Sequence, residues 1–394
     1  MTLPGDRLAP LRSALEARSE AARLRSVEQY VPVHGSPHVV HEGRRLLSFC
    51  SNDYLGLATD PAIVSAATRV TESHGVGSGA SRLVAGSFDI HAQLEAELAD
   101  FTGREAALLF SSGFQANSSV IPALTARTGF VTCDSEAHAS IRAGCWLSQA
   151  DFERFEHNDI EHLNALLTAH GQRDSGPALV VTESLFSMDG DRAPLGEICE
   201  VAELHGALLM VDDAHAIGVF GEHGQGLAAA HSRIDLVLGT FGKAFGTSGA
   251  FVASSELLRS YLVNFCSGVV YSTAPPPPVV GAATAALEAI RSDRLDQASY
   301  HAVITSAHER LSAAGFDTSP STSQIIPVQL GDDRSALACE AFLRARGILA
   351  VAIRPPTVPE GTARLRISLS RQHTEQHLDE LVMALVAYRE GEES

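Results

Sequence analysis

The sequence contains a single lysine, Lys243, among 394 residues, because 28 of its 29 lysine and arginine residues are arginine. Arginine can replace lysine wherever a fixed positive charge faces water, so the scarcity of lysine indicates a bias of genome composition. A guanidinium group stays protonated, however, and cannot replace an amine that must lose its proton. Lys243 is therefore either an incidental surface residue or a site of amine chemistry.

The sequence also lacks a long apolar run and any closely spaced pair of cysteines. No run approaches the roughly 20 apolar residues of a membrane span. Residues 1–25 have helical periodicity and many charges, without the apolar centre of a secretory signal. The six cysteines are scattered and form no CxxC pair, which is typical of reduced thiols in a cytoplasm. We therefore expect a cytoplasmic protein with no membrane partner, no disulfide framework and no zinc site.

Positive charge is in short supply as well, since the formal net charge is −18. Binding to nucleic acid requires a basic surface that neutralises phosphates. The charge balance therefore disfavours nucleic acid as a partner. Anionic small molecules remain possible ligands wherever several arginines converge.

The spacing of apolar residues predicts an α/β fold. Residues 8–27 have the period of an amphipathic helix, and residues 38–49 have that of a hairpin turning at Glu42-Gly43. Continuous apolar runs then alternate with helical patterns, which predicts a mostly parallel sheet covered on both faces. The predicted strands are 106–110, 129–133, 178–183, 207–213, 235–241 and 249–253.

A proline-rich segment, STAPPPP (272–278), ends this alternation and precedes a smaller pattern of helices and strands. Helical patterns follow near 279–291, 295–314, 335–346 and 375–390, with the strand-like runs IIPVQLG, ILAVAI and ARLRISL between the later ones. We predict an N-terminal helix and hairpin segment at 1–50, a large domain at 51–285 and a small C-terminal α+β domain at 286–394.

Three polar features follow predicted strands of the large domain. The run MVDDAH ends in Asp212, Asp213 and His215, and LGTFGKAFG places Lys243 after the next strand, 31 residues beyond Asp212. The turn SSGFQAN (111–117) lies between a strand and a helix, where backbone N–H groups can bind an anion. Ligands of such sheets bind beyond the carboxyl ends of the strands. The three features together suit pyridoxal 5′-phosphate (PLP), which needs a lysine amine, a carboxylate and a phosphate cup.

Each feature taken alone has a simpler interpretation. Strand-end aspartates are often caps of turns or helices, and SSGF is more often an ordinary start of a helix. Asp212, Asp213 and His215 are also possible metal ligands, but no second cluster of ligands at metal spacing accompanies them. The combination is far more specific than any one of its parts.

A glycine-rich stretch, GVGSGASRLVAG (75–86), invites comparison with nucleotide-binding loops. It follows a helical pattern instead of a strand, and no GK[ST] follows it, so we reject that interpretation. The stretch is either a glycine loop of no special function or a loop near the active site.

The motifs along nearly the whole chain resemble the α-oxoamine synthases, PLP enzymes of the aspartate-aminotransferase fold type (fold type I). The resemblance is carried by SNDYLGL (51–57), GSGASRLVAG (77–86), HASI (138–141), TESLFSMDGDRAPL (182–195), VDDAHAIGVFG (211–221), TFGKAFG (240–246), YSTAPPP (271–277) and AIRPPTVPEGTARLRISL (352–369). Two of these motifs are most similar to those of the family branch that acts in biotin biosynthesis, namely VDDAH and IRPPTVPEGTARLR. Ala216-Ile217 departs from the Gly-Thr that is common in that branch.

The resemblance implies a role for each matched residue. Lys243 would form the Schiff base, Asp212 would pair with the pyridine nitrogen, and His138 would stack on the ring. His215 and Ser187 would lie near the phenolic oxygen, and the phosphate would be held by Gly113, Phe114, Thr240 and, from the other subunit of a homodimer with shared active sites, Thr273. The matched positions that line the substrate site are Arg25, Asn52, Glu183, Arg354 and Arg366. His138 as a packed core residue and Arg25 as a solvated helix residue are the simpler alternatives.

The activity that the resemblance implies is decarboxylative condensation of L-alanine with a pimeloyl thioester of coenzyme A or acyl carrier protein. One alternative is a sister reaction of the family, which joins glycine to acetyl-CoA or another amino acid to a longer acyl-CoA. A second alternative is a non-catalytic binding or regulatory protein of the same fold. The intact set of Lys243, Asp212 and His215 favours an enzyme.

Overall fold

A sheet of seven strands forms the centre of the segment 52–301 in the computed structural model, which describes residues 6–125, 129–172 and 176–391. In chain order the strands are β4 (Ala106–Phe110), β5 (Phe130–Asp134), β6 (Asp151–Phe155), β7 (Ala178–Glu183), β8 (Leu208–Asp212), β9 (Leu236–Thr240) and β10 (Ala250–Ser254). Their order across the sheet is β4-β10-β9-β8-β7-β5-β6, and only β10 runs against its neighbours. The predicted mostly parallel sheet is confirmed.

Helices cover this sheet, so its strands are largely buried, apart from the edge strand β6. They are α2 (Pro61–His74), α3 (Asp89–Thr102), α4 (Gly113–Leu124), α5 (Ala139–Leu147), α6 (Ile160–Gly171), α7 (Leu195–Leu204), α8 (Glu256–Phe265), α9 (Ser267–Val270) and α10 (Pro277–Arg291). At least two apolar cores result among the described residues. Val120, Ile141 and Val181 lie in the first, while Leu163, Ile198 and Val211 lie in the second. Continuous apolar strands thus give the doubly covered sheet that the sequence predicts.

The other compact unit comprises 1–51 and 302–394. It contains α1 (Ala9–Glu20), β1 (Val31–Pro32), β2 (His38–His41), β3 (Arg44–Ser48), β11 (Ile325–Gly331), α12 (Asp333–Ala345), β12 (Ile348–Leu349), β13 (Val351–Ile353), β14 (Ala363–Ser368) and α13 (Glu375–Glu390), while α11 (Gln297–Ala313) crosses the boundary at 301. The sheet β1-β2-β3-β12 includes the predicted hairpin, and β11-β14-β13 forms a second sheet. Contact density thus divides the chain at 51 and 301, whereas the sequence places divisions at 50 and 285.

None of the helices within the described residues has both the length and the apolar character needed to cross a bilayer.

Candidate active site

A cavity of about 190 Å³ lies at the carboxyl edge of the seven-stranded sheet. Asp212, Glu183 and Thr240 end the neighbouring strands β8, β7 and β9, so their side chains meet at this edge. Eight of the residues predicted from the sequence line the cavity: Gly113, Phe114, His138, Glu183, Asp212, His215, Thr240 and Lys243. The structure therefore brings together residues that are spread over 131 positions of the chain, from 113 to 243.

Lys243 projects from a tight turn between β9 and β10. Phe241 N–H donates to the carbonyl of Gly249 (2.9 Å), and Gly246 N–H donates to the carbonyl of Lys243 itself (2.9 Å). Gly246 has φ +65°, and a Cβ added there would lie 2.3 Å from the backbone nitrogen of Ala58. Only glycine fits this position, which explains why a glycine follows the lysine at this spacing.

Gly246→Ala is expected to lower the free energy of unfolding by at least about 1 kcal/mol, because it adds both left-handed strain and a backbone clash. The measurement is denaturant unfolding followed by circular dichroism. Gly242→Ala is the matched control, since its Cβ would meet no atom closer than 3.6 Å and its φ is not positive. Equal stability of the two variants would contradict this account of the turn.

Asp212 is held from both sides of its carboxylate. Ala214 N–H donates to Oδ1 (3.0 Å), and the amide Nδ2 of Asn117 donates to Oδ2 (2.7 Å). The side chain is buried, yet it faces the cavity. Hydrogen bonds of this kind favour a charged acceptor, so the site presents a fixed carboxylate at the end of β8.

Glu183 lies beside Asp212 across the β7–β8 ladder. Burial raises the pKa of Glu183 well above its ordinary value, and the charge of Asp212 raises it further, against the opposing effects of Lys243 and the His138 N–H. That N–H donates to Oε1 of Glu183 at 2.6 Å. Burial and the neighbouring Asp212 thus both favour the protonated form of Glu183.

His138 caps the start of α5 and is exposed toward the cavity. Protein atoms around its ring partly desolvate it and lower its pKa. The charges of Lys243 and Arg142 act in the same direction, and Asp212 opposes them. Its side chain is thus not a packed core histidine, and a neutral ring faces the site.

The start of α4 forms the remaining wall of the cavity. The first N–H groups of a helix have no partner within the helix, and Ser112 Oγ accepts that of Gln115 (3.1 Å). Thr240 lies next to Gly113, but its hydroxyl already donates to the carbonyl of Gly249 (3.0 Å). The N–H groups of Gly113 and Phe114 are therefore the stronger candidates for binding an anion.

Three residues at this site were assigned no role from the sequence, although each lies in a quoted motif. Asn117 and Ser140 line the cavity. The hydroxyl of Tyr54 lies 2.7 Å from Nδ1 of His215 and 3.2 Å from Oδ1 of Asn52, and its one hydrogen can be donated to only one of them. Asn52 thus reaches the site through Tyr54.

The remaining predicted residues lie elsewhere. Neither Ser187 nor Thr273 lines this cavity. Ser187 is half-buried in the loop after β7. Thr273 is exposed and forms an isolated antiparallel β-bridge with Ser81. Ala216 and Ile217, the departure noted in the sequence, are fully buried and do not line it either. The departure therefore changes the packing behind the site and not its wall.

The three predicted arginines belong to the other unit, where Arg25 and Arg354 line a cavity of about 570 Å³. Arg25 donates to Oγ1 of Thr357 (2.9 Å), and Arg354 donates to the carbonyl of Ala22. Within the described residues, Nε of Arg354 is buried without a hydrogen-bond partner. Arg366 is buried on β14, donates to Oγ of Ser368 (2.5 Å) and does not line this cavity.

Comparison with known proteins places this geometry in a family. The family model "Aminotransferase class I and II" matches residues 44–385. The 8-amino-7-oxononanoate synthase of Anaeromyxobacter dehalogenans (strain 2CP-1) is 47% identical over 376 residues, which are 95% of this chain and 94% of that protein. The putative 8-amino-7-oxononanoate synthase of Desulfosudis oleivorans is 44% identical over 381 residues, covering 95% and 97%. A structure of SPT (serine palmitoyltransferase) with a PLP internal aldimine aligns with a TM-score of 0.90 and 31% identity, covering 97% of this chain and 98% of that one.

The chain belongs to the aminotransferase class I and II family and has its PLP-dependent fold type I. More narrowly, it is a PLP-dependent acyltransferase of the α-oxoamine synthase type, most like 8-amino-7-oxononanoate synthase. The fold type, the class of enzyme and the cofactor predicted from the sequence are confirmed. The alternative of a non-catalytic protein is left without support.

Proposed function

We propose that this enzyme condenses L-alanine with a pimeloyl thioester, with release of 8-amino-7-oxononanoate, CO₂ and the free thiol carrier. The observation that carries the proposal is the convergence of Lys243, Asp212 and the start of α4 in one cavity. The names of the relatives, at 44% and 47% identity over most of both chains, support the choice of substrates.

The residues of the cavity fit PLP by the chemistry of their donors. Lys243 would bind the aldehyde carbon, Asp212 the pyridine nitrogen, and the N–H groups of Gly113 and Phe114 the phosphate. Bound there, PLP supplies an electron-withdrawing ring next to the amino-acid Cα. His138 would lie against the ring. We further propose His215 and Ser187 near the phenolic oxygen, Thr240 beside the phosphate and, in a homodimer, Thr273 at the partner's phosphate.

Side chains of the protein would carry out the proton transfers of the reaction. Nζ of Lys243 would be the base that removes the Cα proton of bound alanine, and it would later return a proton to the product. Asp212 would keep its position throughout, because both of its oxygens accept hydrogen bonds. Glu183, whose pKa is raised well above its ordinary value by burial, completes the wall beside Asp212.

We propose that arginines recognise the carboxylates of the substrates. Arg354 has a buried donor free, and guanidinium groups bind carboxylates in a planar, two-point geometry. Arg25, on the same cavity, and Arg366, on β14, are further candidates, as is Asn52 through its contact with Tyr54.

The test of the proposal is product analysis by mass spectrometry. Alanine, glycine and serine are each supplied with acetyl, pimeloyl and palmitoyl thioesters of coenzyme A, and alanine also with pimeloyl acyl carrier protein. We expect the highest kcat/KM for alanine with a pimeloyl thioester. Faster turnover of another pair would overturn the assignment of substrates while leaving the enzyme class intact.

A second candidate function is a sister condensation that uses a longer acyl chain. It is favoured by the TM-score of 0.90 with SPT, but the identity to that protein is only 31%. The serine and palmitoyl arms of the same experiment test it.

Arg354→Ala is expected to weaken binding of a carboxylate substrate by about 10- to 150-fold, the worth of one buried charge-assisted pair. PLP content should stay unchanged, because Arg354 does not line the cavity of Lys243. The measurements are KM for each substrate and PLP absorbance, with the exposed Arg334→Ala as control. A loss of PLP with unchanged KM would make the arginine structural.

A further inference from the structure

A line of hydrogen bonds joins Asp212 to His138 through Asn117 and Ser140. Nδ2 of Asn117 lies 2.7 Å from Oδ2 of Asp212 and 3.0 Å from Oγ of Ser140. That hydroxyl lies 2.7 Å from Nδ1 of His138. Asn117 and Ser140 are both buried, at 1% exposure each, so water does not compete for these bonds.

The direction of each bond follows from what its atoms can donate. A carboxylate only accepts, so the amide of Asn117 must turn its NH₂ toward Asp212. The same nitrogen then supplies its second hydrogen to Oγ of Ser140. Oδ1 of Asn117 has no partner among the described residues, which is a further sign that the orientation is fixed at the Asp212 end.

The tautomer of His138 is decided by a backbone group. The N–H of Ser140 points at Nδ1 of His138 (3.2 Å), and a backbone N–H can only donate. Nδ1 must therefore be an acceptor and carry no proton. The hydroxyl of Ser140, which already accepts from Asn117, directs its own hydrogen to the same Nδ1.

We infer that Asn117 and Ser140 are positioning residues that hold His138 as the neutral tautomer with its proton on Nε2. The donor order runs from Asn117 to Ser140 to His138, and the same amide holds the carboxylate of Asp212. One amide thus connects two groups that line the cavity, the carboxylate of Asp212 directly and the ring of His138 through Ser140.

The charges around His138 agree with this assignment. Asp212 at the end of β8 favours a charged ring, whereas Lys243 after β9 and Arg142 on α5 disfavour it. Glu183 on β7 accepts from the backbone N–H of His138, and burial raises the pKa of Glu183 well above its ordinary value. His138 also caps the positive end of α5, where a cation is unfavourable. The lowered pKa of His138 has partial desolvation as its main cause.

This inference deepens the proposed function, because it concerns the same site, but its test needs no substrate. The full-length chain, labelled with ¹⁵N in its histidine rings, is examined by long-range ¹H–¹⁵N NMR, and His138→Gln identifies the signals of His138. We expect an unprotonated Nδ1 and a protonated Nε2 at pH 7. A protonated Nδ1, or a charged ring at that pH, would overturn the inference.

Ser140→Ala tests the relay itself. It removes one donor to Nδ1, so the neutral ring loses support and the pKa of His138 should rise in an NMR titration. Ser140→Thr keeps a hydroxyl at this position, so the titration of His138 in this variant should match that of the wild-type chain. Ser118→Ala, on α4 near Asn117 but bonded to the carbonyl of Gln115, is the control and should leave it unchanged. An unaltered titration in folded Ser140→Ala would overturn the role of Ser140, whichever substrates the enzyme uses.

Discussion

Substitution of Asp212 by asparagine is expected to lower turnover by about 10²-fold or more, the worth of one preorganised electrostatic contact in an active site. Asparagine keeps the shape and one acceptor oxygen, so the bond from Ala214 N–H can persist. It cannot supply the negative charge that keeps a pyridine nitrogen protonated. The variant should therefore fold and bind PLP while losing its rate, and the pH dependence of the PLP absorbance should change.

Asp213→Asn is the matched comparison for this prediction. Asp213 is the neighbouring residue and is fully buried, but its carboxylate accepts from the hydroxyl of Ser184 and from the N–H groups of Leu227 and Ala228. Burial raises the pKa of Asp213 to about 7. Its substitution should affect stability but leave the PLP spectrum in place. Near-normal turnover of fully loaded Asp212→Asn would remove Asp212 from its proposed role.

The large sheet could be predicted from the sequence because its inner strands are continuous apolar runs. The sequence does not predict one strand of this sheet, the edge strand β6 (Asp151–Phe155). It lies at the edge of the sheet and buries only Phe155 fully, while Asp151, Glu153 and Arg154 are exposed. An edge strand with so little apolar content gives no signal that separates it from a loop.

The end of the first helix could not be predicted from local helix propensity. Periodicity predicts a helix over 8–27, whereas α1 ends at Glu20. Ala22 has φ +56°, and Arg23 forms ion pairs with Asp333 (2.7 Å) and Glu360 (2.6 Å). These contacts are distant in sequence, and alanine and arginine both favour helix, so nothing local could indicate the end.

Some residues of the candidate site could likewise be predicted from the sequence, and others could not. Lys243, Asp212 and the start of α4 could be predicted because each follows a strand, and carboxyl ends of parallel strands meet at one edge. Asn117 and Tyr54 could not, because their partners Asp212 and His215 lie 95 and 161 residues away. Residues that the sheet topology brings together can be predicted from the sequence. The hydrogen bonds that orient their side chains can be identified only in the packed structure.

The lone lysine permits an unusually direct test of the site. If Lys243 carries PLP, borohydride should fix the pyridoxyl group on Nζ as a stable secondary amine. The chain has no other lysine, so a lysine-specific protease should cut the denatured, untreated chain once. After reduction the modified side chain should no longer fit the protease, and the chain should remain whole.

Lys243→Arg provides the control and the largest expected loss of activity. Its guanidinium stays protonated and is a poor nucleophile, so borohydride should fix no PLP and condensation should fall to background. The variant also lacks any lysine, so its resistance to the protease without reduction shows that cleavage of the wild-type chain occurs at Lys243. Fluorescence of the reduced pyridoxyl group, measured on the denatured chain, reports attachment independently of activity. Cleavage that persists after reduction of a fully loaded sample would overturn the role of Lys243 and the mechanism that depends on it.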